Sequence, residues 1–255
     1  VWKNQDVQPT QARAIVVIPA YNEEATVAIV ITDVLAAGLD VVVVDDGSQD
    51  TTASRAAAAG ATVIKLPVNL GVGGALRAGF RWAVAHGYDT AIQCDADGQH
   101  NPAELPRLIE SAQQLDAHLL IGSRFAAEDG FRATWLRRIP MRVLAIVASR
   151  AAKTEITDAS SGYRVVRQPL LSEFARAYPV HYLGDTFEVL VQAGRRGYNV
   201  REVPVTMRAR AGGIPSAGST ASASFTLRAL LALLIGASHR YRQLDQDRQP
   251  AIGAS

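Results

Sequence analysis

Thr90-Ala91-Ile92-Gln93-Cys94-Asp95-Ala96-Asp97-Gly98-Gln99-His100 is an apolar run that ends in two carboxylates, a glycine and an amide. In an extended chain the i and i+2 side chains point the same way. Asp95 and Asp97 are therefore expected to face one point just past the strand's end, with Gln99 able to join them. Two oxygen ligands held together, with coordination positions left open, suit Mg²⁺ or Mn²⁺ carrying a substrate's phosphates. The blander reading is an Asp-rich turn capping the helix signalled by Asn101-Pro102-Ala103-Glu104. The flanking sequence decides between them.

Upstream, Ala14-Ile15-Val16-Val17-Ile18 and Val41-Val42-Val43-Val44 are continuous apolar runs of the kind buried on both faces of a parallel sheet. Helical periodicity follows each, through Val27, Val30, Ile31, Val34 and Leu35 and then over about 50–59. A strand at 62–66, helices at 75–86 and 102–115 and a strand at 118–121 continue the alternation. This pattern predicts an α/β fold with a mostly parallel sheet flanked by helices, whose ligands collect at the carboxyl ends of the strands. Tyr21, Asn22 and Glu23 follow the first strand, and Asp45 and Asp46 the second. Asn69-Leu70-Gly71-Val72-Gly73-Gly74 follows the third, Asp95 and Asp97 the fourth, Ser123 and Arg124 the fifth. Any one of these is ordinary turn chemistry; five on one rim point to an active site. Gly71-Val72-Gly73-Gly74 also hints at a dinucleotide fingerprint. Its third glycine position is Leu76, however, and four residues separate strand from glycines, which argues against a Rossmann dehydrogenase.

Composition narrows the classes further. With 48% hydrophobic and 20% charged residues the chain is globular rather than disordered, and a net charge of +2 makes no case for nucleic acid. The single cysteine, Cys94, excludes an internal disulfide framework and cysteine zinc clusters; it reads as a packed thiol. The polar start at 1–12 does not resemble a signal peptide, and no apolar run reaches the roughly 20 residues needed to span a bilayer. A cytoplasmic location, with peripheral contact at the inner membrane face, is expected.

Ile18-Pro19-Ala20-Tyr21-Asn22-Glu23, Val44-Asp45-Asp46-Gly47-Ser48, Cys94 to His100, and Gly122-Ser123-Arg124 occur in that order. Together they make the chain resemble family 2 glycosyltransferases of the GT-A fold, in the dolichol-phosphate mannose synthase-like branch, over about 14–210. The resemblance implies that Pro19, Tyr21, Glu23, Val44 and Asp46 hold the nucleoside of a UDP or GDP sugar. It also implies that Asp95, Asp97 and Gln99 hold the divalent metal on the diphosphate. Residues 14–122 would form the nucleotide-sugar half and 123–210 the acceptor half, after an extension over 1–13. In the resembled synthases, arginines that match Arg124 and Arg138 grip the phosphate of a polyprenyl-phosphate acceptor, in a stretch that here also holds Arg132, Arg137 and Arg142. Such an acceptor is ionised already and needs no base. A hydroxyl acceptor would need one, and Asp185 stands where hydroxyl-directed relatives keep an acid.

Asp158-Ala159-Ser160-Ser161-Gly162-Tyr163-Arg164 resembles a family stretch near donor sugar and acceptor, which puts Ser161 in the site. Arg208 and Arg210 match basic residues of a loop that closes over the diphosphate. The lysine that follows the loop serine in the comparison synthase is missing after Ser216. No Gln-x-x-Arg-Trp motif is present, which argues against a processive polysaccharide synthase. The remainder, 211–255, reads as loop, amphipathic helix and tail. Its apolar run at 225–235, flanked by Arg228 and by His239-Arg240-Tyr241-Arg242, suits packing on the domain or another subunit, or an interfacial membrane helix; 139–152 could form a second such helix. The expectation is a metal-dependent, non-processive, inverting glycosyltransferase acting on polyprenyl phosphate. The alternatives are transfer to a soluble hydroxyl acceptor, or a non-catalytic nucleotide-sugar-binding protein.

Overall fold

A computed structural model describes residues 13–124, 135–179 and 185–208, without the side chains of 135–143 and 185. Seven strands form one sheet in the order β3-β2-β1-β4-β6-β5-β7. At its centre β1 (Ala14–Ala20) runs parallel to β2 (Asp40–Asp45) and β4 (Thr90–Gln93), and β2 runs parallel to β3 (Thr62–Lys65). The valine-rich runs are sealed on both faces: Val16, Val17, Ile18, Val42, Val43 and Val44 have no exposed surface. Each such side chain stabilises the fold by about 1.5–3 kcal/mol.

One face is covered by α1 (Val27–Ala36) and α4 (Leu105–Gln114), whose Val27, Ile31, Leu105 and Leu108 pack with Val16, Ile18 and Ile92. The other carries α3 (Gly71–Ala85). Gly79 lets this helix lie close to the sheet, since a Cβ there would sit 2.3 Å from Cγ1 of Val17. The remaining helices are α2 (Thr52–Ala58), α5 (Trp135–Ala152), α6 (Leu170–Ala177) and α7 (Asp185–Arg195). None of the described helices is long and apolar enough to cross a membrane.

Three details depart from the sequence pattern. First, β6 (Arg164–Arg167) enters antiparallel between β4 and β5 (Leu119–Ser123), so β5 pairs in parallel with β7 (Val200–Pro204) and not with β4. Because β6 runs backwards, it starts at the carboxyl rim and delivers 158–163 there. Second, α3 begins at Gly71 rather than at 75, for a reason given by Asp46 below. Third, the helix expected from 102 opens as a 3-10 turn, Pro102–Glu104, before α4. Pro106 has no N–H to give the carbonyl of Pro102, so the first α-helical bond cannot form.

Candidate active site

The rim is assembled from loops that brace one another. After β1, Asn22 adopts a left-handed conformation, φ 55°; its N–H donates to Oγ of Ser48 at 2.9 Å, and its Oδ1 accepts from the Gln49 N–H at 2.9 Å. The Glu23 N–H donates to Oγ1 of Thr52 at 2.8 Å, and its carboxylate accepts from Oγ1 of Thr26 at 2.9 Å. Tyr21 is left exposed. Pro19 lies within β1, paired with Val44. The Val44 side chain is buried toward Gly79 of α3, so only its backbone can face a ligand on the rim.

Asp46 is buried, and its two carboxylate oxygens accept from the Leu70 and Gly71 N–H groups at 2.7 and 2.8 Å. An anion at these first N–H groups caps α3 and complements its dipole, so the helix can start inside its own glycine run. Burial raises the Asp46 carboxyl above the usual range, against the pull of those two bonds.

The two acids of the central motif lie beyond the last residue of β4, Gln93. Their directions come from a turn rather than from strand alternation. The Asp95 N–H donates to Nδ1 of His100 at 2.9 Å, and the imidazole Nε2 lies 3.7 Å from Oδ2 of Asp95. As an acceptor, Nδ1 carries no proton, which places the ring N–H on the side of the carboxylate. His100 is buried and stacks on Tyr163 with ring centres 4.5 Å apart and planes 8° apart; the Tyr163 hydroxyl donates to the Asn101 carbonyl at 2.8 Å. Asp95 keeps 42% of its side chain exposed. Asp97 is buried, and its Oδ1 accepts from the Gln99 N–H at 3.0 Å. The Gln99 carbonyl accepts from the Arg208 N–H at 2.9 Å, and His100 forms a bridge with Met207. The segment after β7 is thereby stitched to the acidic turn, while the Arg208 guanidinium pairs with Asp33 of α1 at 2.6 Å.

Across the rim, Arg124 grips Asp158 with both arms of its fork, Nε to Oδ2 at 2.8 Å and Nη2 to Oδ1 at 2.9 Å, and Nη2 also reaches Oγ of Ser160 at 3.0 Å. Asp158 is fully buried. Burial alone would raise its carboxyl, but the hydrogen bonds and charge of Arg124 outweigh that and hold it below the usual range. Glu202 of β7 accepts from the N–H groups of Thr157 and Asp158 at 2.8 and 3.2 Å. The Ser161 hydroxyl donates to the Gly122 carbonyl at 2.6 Å, and the buried Arg164 donates to the carbonyls of Ser161 and Ala159 at 2.7 and 3.2 Å. Ser161 thus shapes the loop more than it presents a hydroxyl to a ligand.

A family model described as glycosyl transferase family 2 matches residues 15–174. The chain belongs to this family. The polyprenol monophosphomannose synthase of Mycolicibacterium smegmatis is 34% identical over 219 residues, covering 82% of this chain and 82% of that protein. An undecaprenyl-phosphate mannosyltransferase of Micrococcus luteus is 32% identical over 204 residues, covering 76% of this chain and 83% of that one. The glucosyl-3-phosphoglycerate synthase of Mycobacterium tuberculosis, solved with Mg²⁺ and UDP, matches with a TM-score of 0.66 at 23% identity, over 88% of this chain and 78% of that one. That last likeness shows the fold, GT-A.

In this glycosyltransferase the described residues contain no group of three His, Cys, Asp or Glu side chains placed to hold a metal ion. What they offer is the open carboxylate of Asp95, the buried one of Asp97 and the neighbouring amide of Gln99. Such a hard-oxygen set fits an ion that takes its other ligands from a diphosphate and water. Cys94 is sealed, and burial first, then the charges of Asp95 and Asp97, push its thiol well up, so it serves packing. His100, Asp158 and Glu202 are absent from the residues singled out in the sequence. His100 and Asp158 lie inside the quoted motifs, but their partners are set only by the fold. The Arg138 and Asp185 side chains, Arg210, and the apolar run at 225–235 lie outside the described residues.

Proposed function

We propose that this glycosyltransferase is metal-dependent, inverting and non-processive, and that it moves a sugar from a UDP or GDP sugar to a polyprenyl phosphate. The observation that carries the reading is the half-exposed Asp95 carboxylate, propped by His100 and set beside the more buried Asp97 at the strand-end rim. Asp95, Asp97 and Gln99 would hold Mg²⁺ or Mn²⁺ on the donor diphosphate. When bound, the ion neutralises the charge that the departing diphosphate gains. Tyr21, Glu23, Asp46 and the backbone at Pro19 and Val44 would line the nucleoside subsite. Asp46 would act chiefly by fixing the glycine loop.

The acceptor class comes from the names of the two curated relatives. A phosphate oxygen of the acceptor attacks the anomeric carbon as the bond to the diphosphate breaks, which inverts that carbon. The phosphate is already ionised, so no general base is required. Arg124, anchored on Asp158, would place positive charge beside that phosphate, with Arg138 as its partner and Arg210 on the diphosphate, where Arg208 would join it on leaving Asp33. Arginine suits a phosphate oxygen pair. Such an acceptor would bring the enzyme to the cytoplasmic face of a membrane as a peripheral protein.

The test is transfer of radiolabelled sugar from UDP-glucose and GDP-mannose to a short polyprenyl phosphate, with Mn²⁺ and with EDTA. Metal-dependent labelling of the lipid is expected. Full activity in EDTA would remove the metal from the reading. Transfer to soluble hydroxyl acceptors alone, abolished in Asp185→Asn, would replace the acceptor.

A further inference from the structure

Gln93, the last residue of β4, is only 5% exposed, yet among the described residues its side-chain amide has no hydrogen-bond partner. Buried carboxamides are ordinarily satisfied by protein or ordered water, so one left unpaired by protein at a rim is open to a water or to a polar group of a ligand. Neither amide atom counts among the solvent-sealed atoms that lack a partner; the amide reaches the surface there. Gly162 stands opposite. A Cβ on Gly162 would lie 3.1 Å from Nε2 of Gln93 and 3.3 and 3.4 Å from Oδ2 and Oδ1 of Asp95. The missing side chain leaves a notch with a carboxamide on one wall and a carboxylate on the other.

The notch is held open. Ser161 and Tyr163 flank Gly162, the first tied to the Gly122 carbonyl and the second to the Asn101 carbonyl, and Arg164 ties the Ser161 carbonyl from below. A carboxamide supplies two donors and an acceptor. Its complement beside a carboxylate is a group that both donates and accepts, which is a hydroxyl. If the donor diphosphate is held at Asp95 and Asp97, the sugar bonded to its terminal phosphate lies within one ring of this notch. Resting on that reading of the donor site, we infer that Gln93 binds a hydroxyl of the transferred sugar ring, in a notch that Gly162 keeps empty for it. Gln93 is then a determinant of which sugar is accepted, because a site built to bond a hydroxyl discriminates against a ring that presents none there.

Calorimetric titration with UDP, UDP-glucose, GDP and GDP-mannose, each with Mn²⁺, tests this on the full chain and on Gln93→Met and Gln93→Leu. Both variants place an apolar side chain of similar size in a buried strand, and a thermal melt of each verifies its fold. Loss of one hydrogen bond should weaken the nucleotide sugar that the wild type binds about 5–10-fold, leaving the matching free diphosphate within about twofold. Equal weakening of diphosphate and nucleotide sugar, or no weakening of either, overturns the assignment of Gln93. A wild-type chain that binds none of the four ligands overturns the donor-site reading, and this inference with it.

Discussion

His100→Phe separates the two jobs of one buried ring. Phenylalanine keeps the volume and the stack on Tyr163, at 4.5 Å between ring centres, but removes the acceptor for the Asp95 N–H, 2.9 Å away. An N–H left without a partner costs about 1–3 kcal/mol when buried. That range corresponds to roughly 2–4 °C in Tm per kcal/mol for a domain of this size. The larger effect should fall on metal. Partners that orient metal-binding side chains typically contribute about 10–100-fold in affinity, so Mn²⁺ affinity, measured by electron paramagnetic resonance, should fall at least about tenfold. His100→Asn is the counterpart: its Oδ1 can stand in for Nδ1 as acceptor, while the stack is lost. Asn should therefore recover most of the Mn²⁺ affinity and yet melt lower than Phe. Mn²⁺ affinity within about twofold of wild type in His100→Phe would refute the propping role. Equal losses of affinity in both variants would mean that the ring, not its nitrogen, matters.

Three further outcomes follow from the same geometry. Asp158→Asn should cost about 2–3 kcal/mol, less than the roughly 3–5 of a wholly buried pair, because Arg124 keeps 34% of its side chain exposed. The folded-state carboxyl lies below its ordinary 3.8. The contribution is thus present above that value and lost as pH falls through the folded value; the drop in urea midpoint below about pH 4 should flatten in Asp158→Asn, and an unchanged acid limb would count against the pair. Gly162→Ala should lower kcat/KM about tenfold by shifting Asp95 and Gln93 a few tenths of an ångström, with Tm within a few degrees; wild-type kinetics would show that the notch tolerates a methyl group. Gly79→Ala should destabilise by about 1–3 kcal/mol through its clash with Val17, read from the urea midpoint, and leave nucleotide affinity unchanged in the folded fraction.

Much of the nucleotide half is legible because its signals are local. Strands buried on both faces must be apolar at every position, so β1 and β2 stand out as valine and isoleucine runs, and the polar residues that end them mark the rim. The acceptor half is less legible. β6 reads Arg-Val-Val-Arg, with charge at both ends of four residues, and in the interior the carbonyls of Ser161 and Ala159 meet the Arg164 guanidinium. β7 carries Arg201 and Glu202, and Glu202 belongs to the loop it pins rather than to a solvent face.

The amino-acid sequence by itself determined the α/β alternation, the rim and the pair Asp95 and Asp97, because hydrophobic periodicity and strand-end chemistry are written within a few residues. The tertiary structure alone decided the start of α3, the reversal of β6, the partners of His100 and Arg124 and the placing of Gln93 against Gly162. Each of these depends on groups distant in the chain: Asp46 caps a helix that begins 25 residues later, and Asp158 meets an arginine 34 residues before it. A buried charge or an orphaned N–H must find its complement, and only the folded chain says which side chain is near enough to supply it.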